Sequence, residues 1–158
     1  MAEEIKIPQA KHLYFIEVEV NQMLQIGKFA DGAHRIIPIT GGRFEGAAMK
    51  GEVLAAGADW NISRGSLKQF SHVTTRYILK TDDGAYISLF TDGCSEFGLG
   101  AMIGLMKRKP DPEKIHFRQH LIFRTSDERY SWLNDAVCFA VVCMNKEYKL
   151  CYDAYMIS

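Results

Sequence analysis

From His12 the side chains alternate: Tyr14, Ile16, Val18 and Val20 fall on one parity, Phe15, Glu17 and Glu19 on the other. A period of two is the mark of a half-buried strand, because successive side chains leave opposite faces. The pattern predicts a strand over residues 12–26, ended by Gly27 and the Ala30-Asp31-Gly32 turn. A second extended run covers 33–40, where Pro38 points to an edge or a bend. The stretch 41–60, GGRFEGAAMKGEVLAAGADW, predicts short strands near 42–45 and 50–55, with 59–63 extended after them. On the first of these, Arg43 and Glu45 share a face and Phe44 takes the other.

Arg64-Gly65 is a turn signal. SHVTTRYILKT at 71–81 is β-branched and aromatic, meets Asp82-Asp83-Gly84 and resumes as AYISLF at 85–90, which predicts a hairpin. From Cys94 the pattern is lost: GLGAMIGLM at 98–106 suits a short helix or a loop over a barrel mouth. KRKPDPEK at 107–114 reads as a solvated linker whose prolines forbid a regular helix or a central strand. Alternation returns in IHFRQHLIFR at 115–124, with Ile115, Phe117, Leu121 and Phe123 on one face and His116, Arg118, His120 and Arg124 on the other. Thr125-Ser126-Asp127-Glu128 supplies a capping hydroxyl and an acidic first turn for a short helix, RYSWLNDA. Two last strands are predicted at 137–144 and 148–157. Many short strands with one or two short helices make this an all-β chain, a sandwich or a single antiparallel β-barrel over 1–158. The barrel is preferred because closure removes exposed sheet edges.

The chain's 158 residues suit one domain with a proper core. Its 19 basic and 19 acidic side chains leave no surplus of positive charge, which argues against nucleic acid as a partner. No apolar run approaches membrane-spanning length, and the acidic start MAEEIKIPQAK is not a signal peptide. Cys94, Cys138, Cys143 and Cys151 form no CxxC pair and are expected to be reduced thiols in a cytoplasmic protein.

No phosphate loop, GxSxG elbow, HExxH or calcium loop is present. What remains is a set of polar and aromatic residues at strand positions. Glu45 and Asp59 are candidates for a general acid/base pair, with burial raising one of them towards neutrality. Arg43 and Arg76 are candidates for binding a carboxylate or an enolate through their planar donor forks, and Trp60 and Tyr77 for walling in an organic ligand. Ion pairs that brace a bend or close a barrel end are the favoured account of any one of these charges taken singly. His116 and His120 are about 13 Å apart on a strand with Arg118 between them, so no metal site is expected there. Asp82 and Asp83 are better explained by turn chemistry than by calcium.

GGRFEGAAMKGEVLAAGADW at 41–60, RYILKTDDGAYI at 76–87 and FRTSDERYSWLN at 123–134 resemble the signatures of the bacterial and fungal domain of unknown function 3237. The resemblance spans nearly the whole chain. It implies a small antiparallel barrel similar to the allene oxide cyclase, dirigent or calycin barrels, and it implies no particular reaction. The matching positions include Gly42, Arg43, Glu45, Asp59, Trp60, Arg76, Tyr77, Asp82, Asp83, Tyr130, Trp132 and Asn134. Ala47 stands where the family usually has proline, and Thr74 and Arg124 where it usually has an acid; Arg124 thereby favours an anionic ligand. The expectation is a binding protein for a small organic molecule, or a cofactor-free isomerase or cyclase, with Arg43, Glu45, Asp59 and Arg76 at the barrel mouth. The alternative is a non-catalytic interaction module; in either case a homo-oligomer is expected to cover exposed strand edges.

Overall fold

A computed structural model describes residues 6–158 except 67, 99–102, 105, 106, 108, 110, 112, 113, 146 and 148. Among the described residues ten strands follow one another: β1 (Ala10–Val20), β2 (Leu24–Phe29), β3 (Gly32–Glu45), β4 (Lys50–Val53), β5 (Gly57–Arg64), β6 (Gln69–Thr81), β7 (Tyr86–Phe97), β8 (Ile115–Arg124), β9 (Cys138–Met144) and β10 (Leu150–Ile157). Antiparallel pairing runs β1–β3–β5–β6–β7–β8–β9–β10 and returns to β1, an eight-stranded closed barrel. Among the described residues no helix is long and apolar enough to cross a membrane. The run 98–106, for which the sequence leaves helix or loop open, and the linker read at 107–114 lie in large part outside the described residues.

The alternation of β8 is realised in full, every odd-numbered residue from Ile115 to Phe123 buried and every even-numbered one exposed. Several predicted boundaries differ. The run 12–26 is broken after Val20, where the Asn21 N–H donates to the Pro38 carbonyl at 2.9 Å. Segments 33–40 and 42–45 are one strand rather than two. Pro38 fits within it because the β1 ladder ends at Ile39 and the β2 ladder begins at Ile36, so the missing N–H faces a gap between two neighbours. Gly42 then bends β3 at φ 142°, with any Cβ only 2.2 Å from the Glu17 carbonyl oxygen. Beyond this bend β3 leaves β5 for β4, so β4 and β5 together make one stave of the barrel between β3 and β6. β7 also runs further than AYISLF, because residues 91–97 keep pairing with β6 and β8.

The two halves of the interior differ in chemistry. One is apolar, built from Leu13, Phe44, Leu79, Ile87 and Phe123, and is closed by a 3-10 helix, Glu128–Asn134, that buries Tyr130 and Leu133 while Trp132 stays outside. The helix is capped by the Asp127 carboxylate rather than a hydroxyl; the Thr125 hydroxyl instead donates to the Tyr86 carbonyl at 2.8 Å. Asn134 ties the helix end to the loop before it through two hydrogen bonds with the Thr125 main chain, at 2.9 and 3.0 Å. Asp83 accepts from Tyr130 and pairs with Arg129, which also grips Asp127. The other half carries buried polar groups among its apolar side chains: Asp59, Ser63, Ser71, Thr75 and Gln119. Beside the apolar end, Gln9 and Ser158 exchange main-chain hydrogen bonds at 3.1 and 2.9 Å and extend the β1–β10 ladder.

Candidate functional site

β5 has its polarity inverted. Asp59, Asn61 and Ser63 take the inward parity and Trp60 and Ile62 the outward one, leaving Trp60 47% exposed on the outer wall. The ladder with β6 continues this polar lining: Asp59 lies opposite Thr75 and Ser63 opposite Ser71, with Ser63 and Ser71 hydroxyls 2.8 Å apart. Burying hydroxyls and a carboxylate costs free energy unless partners are supplied. Most of these groups have partners. One carboxylate oxygen of Asp59 has none.

Asp59 is 7% exposed and lines a cavity of about 40 Å³ together with Thr75, Tyr77, Gln119 and Tyr152 among apolar residues from β1, β3, β6, β8, β9 and β10. By general measure that volume holds roughly three water-sized groups. Burial pushes the Asp59 carboxyl up to about 7, so near neutral pH both its acid and its base form are populated. Tyr152 reaches in from β10, its hydroxyl bonded to that of Tyr77 and 3.4 Å from that of Tyr14. Burial holds all three phenols well above their usual range, so they stay protonated and serve as hydrogen-bond donors. Gly93, level with Gln119 on the neighbouring strand, makes room for it: a Cβ there would fall 2.7 Å from the Gln119 Cγ. A carboxyl poised near neutrality beside paired phenols can take a proton from carbon and support the negative charge that develops on oxygen.

The residues singled out from sequence do not converge. Asp59 and Tyr77 share the cavity. Arg43 and Glu45 lie together on one face as predicted, but it is the outer one, since Phe44 takes the interior. Glu45 borders a hollow of about 370 Å³ at the plugged end, with Lys50, Asp82, Asp83 and Tyr130. Trp60 and Arg76 line a separate outer hollow of about 290 Å³ with Thr74 and Phe90, the Arg76 guanidinium 5.3 Å from the Phe90 ring centre. Arg124 is exposed and donates to the carbonyls of Phe123 and Asn134. The expected gathering of Arg43, Glu45, Asp59 and Arg76 at one mouth is therefore absent, because neighbouring strand positions face opposite sides of the wall. Sequence reasoning missed Tyr152, Thr75 and Gln119; the available signal was the inverted alternation of residues 59–63. Among the described residues no three His, Cys, Asp or Glu side chains gather as metal ligands.

A family described as "Protein of unknown function (DUF3237)" matches residues 8–157. The chain belongs to this family. It is 33% identical over 127 residues to a UPF0311 protein of Rhodopseudomonas palustris, covering 79% of this chain and 81% of the relative. A crystal structure of a β-barrel-like protein from Acinetobacter baumannii superposes with a TM-score of 0.84 at 36% identity over 99% of both chains. The crystal structure of an enzyme from Penicillium herquei shares the fold, with a TM-score of 0.72 at 18% identity over the whole of both chains. For this DUF3237 member the barrel is thus the common frame.

Proposed function

We propose that the barrel interior binds a small organic molecule and that Asp59 exchanges a proton with it, the chemistry of a cofactor-free isomerase or cyclase. The observation that carries this is the buried Asp59 carboxyl, with one oxygen unpartnered and its pKa raised to about 7, facing a cavity it shares with the Tyr77 and Tyr152 phenols. Asp59 removes a proton next to a carbonyl or returns it. The tyrosine pair donates to the oxygen that gains charge. The cavity admits only the reacting end of a molecule, so the remainder lies outside it. The expected setting is the reduced cytoplasm, with neither nucleic acid nor membrane as partner.

Deuterium exchange tests this. Pyruvate, phenylpyruvate and 1-phenyl-1,3-butanedione are incubated with the protein in D₂O, and loss of the proton next to the carbonyl is followed by NMR. The wild type is expected to accelerate exchange of at least one probe, and Asp59→Asn to abolish the acceleration with the fold intact. Equal rates with wild type and Asp59→Asn for all three would overturn the proposal.

A second reading, an interaction module that assembles with its own copies, draws on β2. Among the described residues that strand pairs with β3 alone, all six of its residues are exposed, and it presents Leu24, Ile26 and Phe29. Light scattering decides: a monomer at all concentrations would sink it.

A further inference from the structure

Further along β5 from Asp59, at Ser63 and Arg64, lies a hollow of about 350 Å³ that the proton chemistry leaves unused. Lys28, Phe29, Arg35, Ser63, Arg64 and Gln69 line it with three small residues, and none of these is acidic. Arg35 sits opposite Asn61 in the β3–β5 ladder, so it takes the inward parity of Asp59 and Ser63. Its Nε is buried and has no hydrogen-bond partner. Arg64 feels the Asp31 carboxylate, which is itself held by His34 at 2.7 Å. Among the described residues no carboxylate forms an ion pair with Arg35 or Lys28.

Ile37 pairs with Asp59 and Arg35 with Asn61, so Arg35 and Asp59 are diagonal neighbours with Cα atoms about 7–8 Å apart. Two groups of opposite charge at that spacing ordinarily pair. Here they do not: burial alone sets the Asp59 carboxyl, with no cation lowering it, and each residue keeps a buried polar atom unmatched. A buried guanidinium N–H without an acceptor is unfavourable, and the Nε edge of arginine is shaped for the two oxygens of a carboxylate.

We propose that Arg35 recognises the carboxylate of an organic acid in this hollow, with Lys28 adding charge and the Gln69 amide, hydrogen-bonded to the Ser63 and Ser71 hydroxyls, forming its wall. The proposal rests on the reading of Asp59 above and names its substrate class: a short organic acid whose reacting carbon lies several bonds from its carboxylate and enters the Asp59 cavity. Arg35 is then a binding residue and takes no part in the proton transfer.

The test uses benzoate and the neutral benzyl alcohol as probes, each titrated into isotope-labelled protein and followed by NMR. Benzoate is expected to shift signals of Arg35, Ser63 and Gln69 and to bind about ten-fold or more tightly than benzyl alcohol, the scale of a charge-assisted hydrogen bond. Arg35→Gln should remove that preference while leaving benzyl alcohol binding unchanged, and Arg35→Lys should retain part of it. Absence of benzoate shifts at those three residues, or a preference that survives Arg35→Gln, overturns the proposal. Asp59→Asn is expected to keep the benzoate preference. If the preference is present and deuterium exchange absent, the anion site stands and the proton chemistry falls. If exchange is present without the preference, the proton chemistry stands and the anion site falls.

Discussion

Asp59 makes a prediction that needs no ligand. Its carboxyl titrates near 7 in the folded chain, against an ordinary value of 3.8. A raised carboxyl pKa means that the folded state holds the proton more tightly than the unfolded state, so stability is lost as pH rises between the two values. The gap is about three pH units, and each unit corresponds to about 1.4 kcal/mol, which gives about 4 kcal/mol. Below pH 4 both states are protonated and the penalty is absent. Above pH 7 it is complete. Asp59→Asn removes the titration and keeps the shape, so the stability of the variant minus that of the wild type should climb by about 4 kcal/mol from pH 4 to pH 8. For a chain of this size that is a relative change in Tm of roughly 8–16 °C. Urea denaturation of both proteins at unit steps of pH measures it. A difference that stays flat, or that runs in the opposite direction, would show a charged and well-partnered carboxylate, and the case for Asp59 as a proton carrier would fail.

The tyrosine cluster predicts non-additive losses. Tyr152→Phe strands the buried Tyr77 hydroxyl and should cost about 1–3 kcal/mol in urea unfolding, while adding Tyr77→Phe to it should cost less than the two single changes together. Asn134→Ala removes both hydrogen bonds to Thr125 and should lower stability by about 1–2 kcal/mol, seen in the same assay, without changing the interior cavity. Thiol labelling with a disulfide reagent at pH 7.5 should modify exposed Cys94 first. Cys138 and Cys151, pushed by burial up to about 11 and about 12, should react only on unfolding, and rapid labelling of either would contradict their packing in the barrel wall.

The barrel was legible wherever one face of a strand is apolar and the other charged. In β8 the parity of Ile115, Phe117, Leu121 and Phe123 settles which way every neighbour points, and Gln119 alone is the polar residue carried inside. The short sequence Arg43-Phe44-Glu45 obeys the same rule, yet its charges attracted a catalytic expectation because charge marks chemistry without marking a side of the wall. β5 goes the other way: Trp60 outside and Asp59 inside reverse the usual hydrophobic sense, and only closure of the barrel decides between the two registers. Arg35 was invisible for a related reason. Ile36, Ile37 and Ile39 are apolar on both parities around Pro38, so the run 33–40 carries no alternation from which the inward side of the arginine follows. Tyr152 belongs to a strand far along the chain from Tyr14 and Tyr77, and no local pattern announces that the three phenols meet.

The β1–β10 ladder has a consequence for how the protein is made. Ala10 pairs with Ile157 and Val18 with Leu150, so the first stave of the barrel waits for a partner synthesised more than a hundred residues later. Until β10 emerges from the ribosome, β1 and β9 each present an unsatisfied edge, and the cavity lacks the wall that carries Tyr152. Non-local closure of this kind slows folding and exposes strand edges to other nascent chains. A pause in translation between β9 and β10 would therefore be the moment of greatest risk, and a chaperone that shields a sheet edge would act on this chain late, at the completion of the ring rather than at its start.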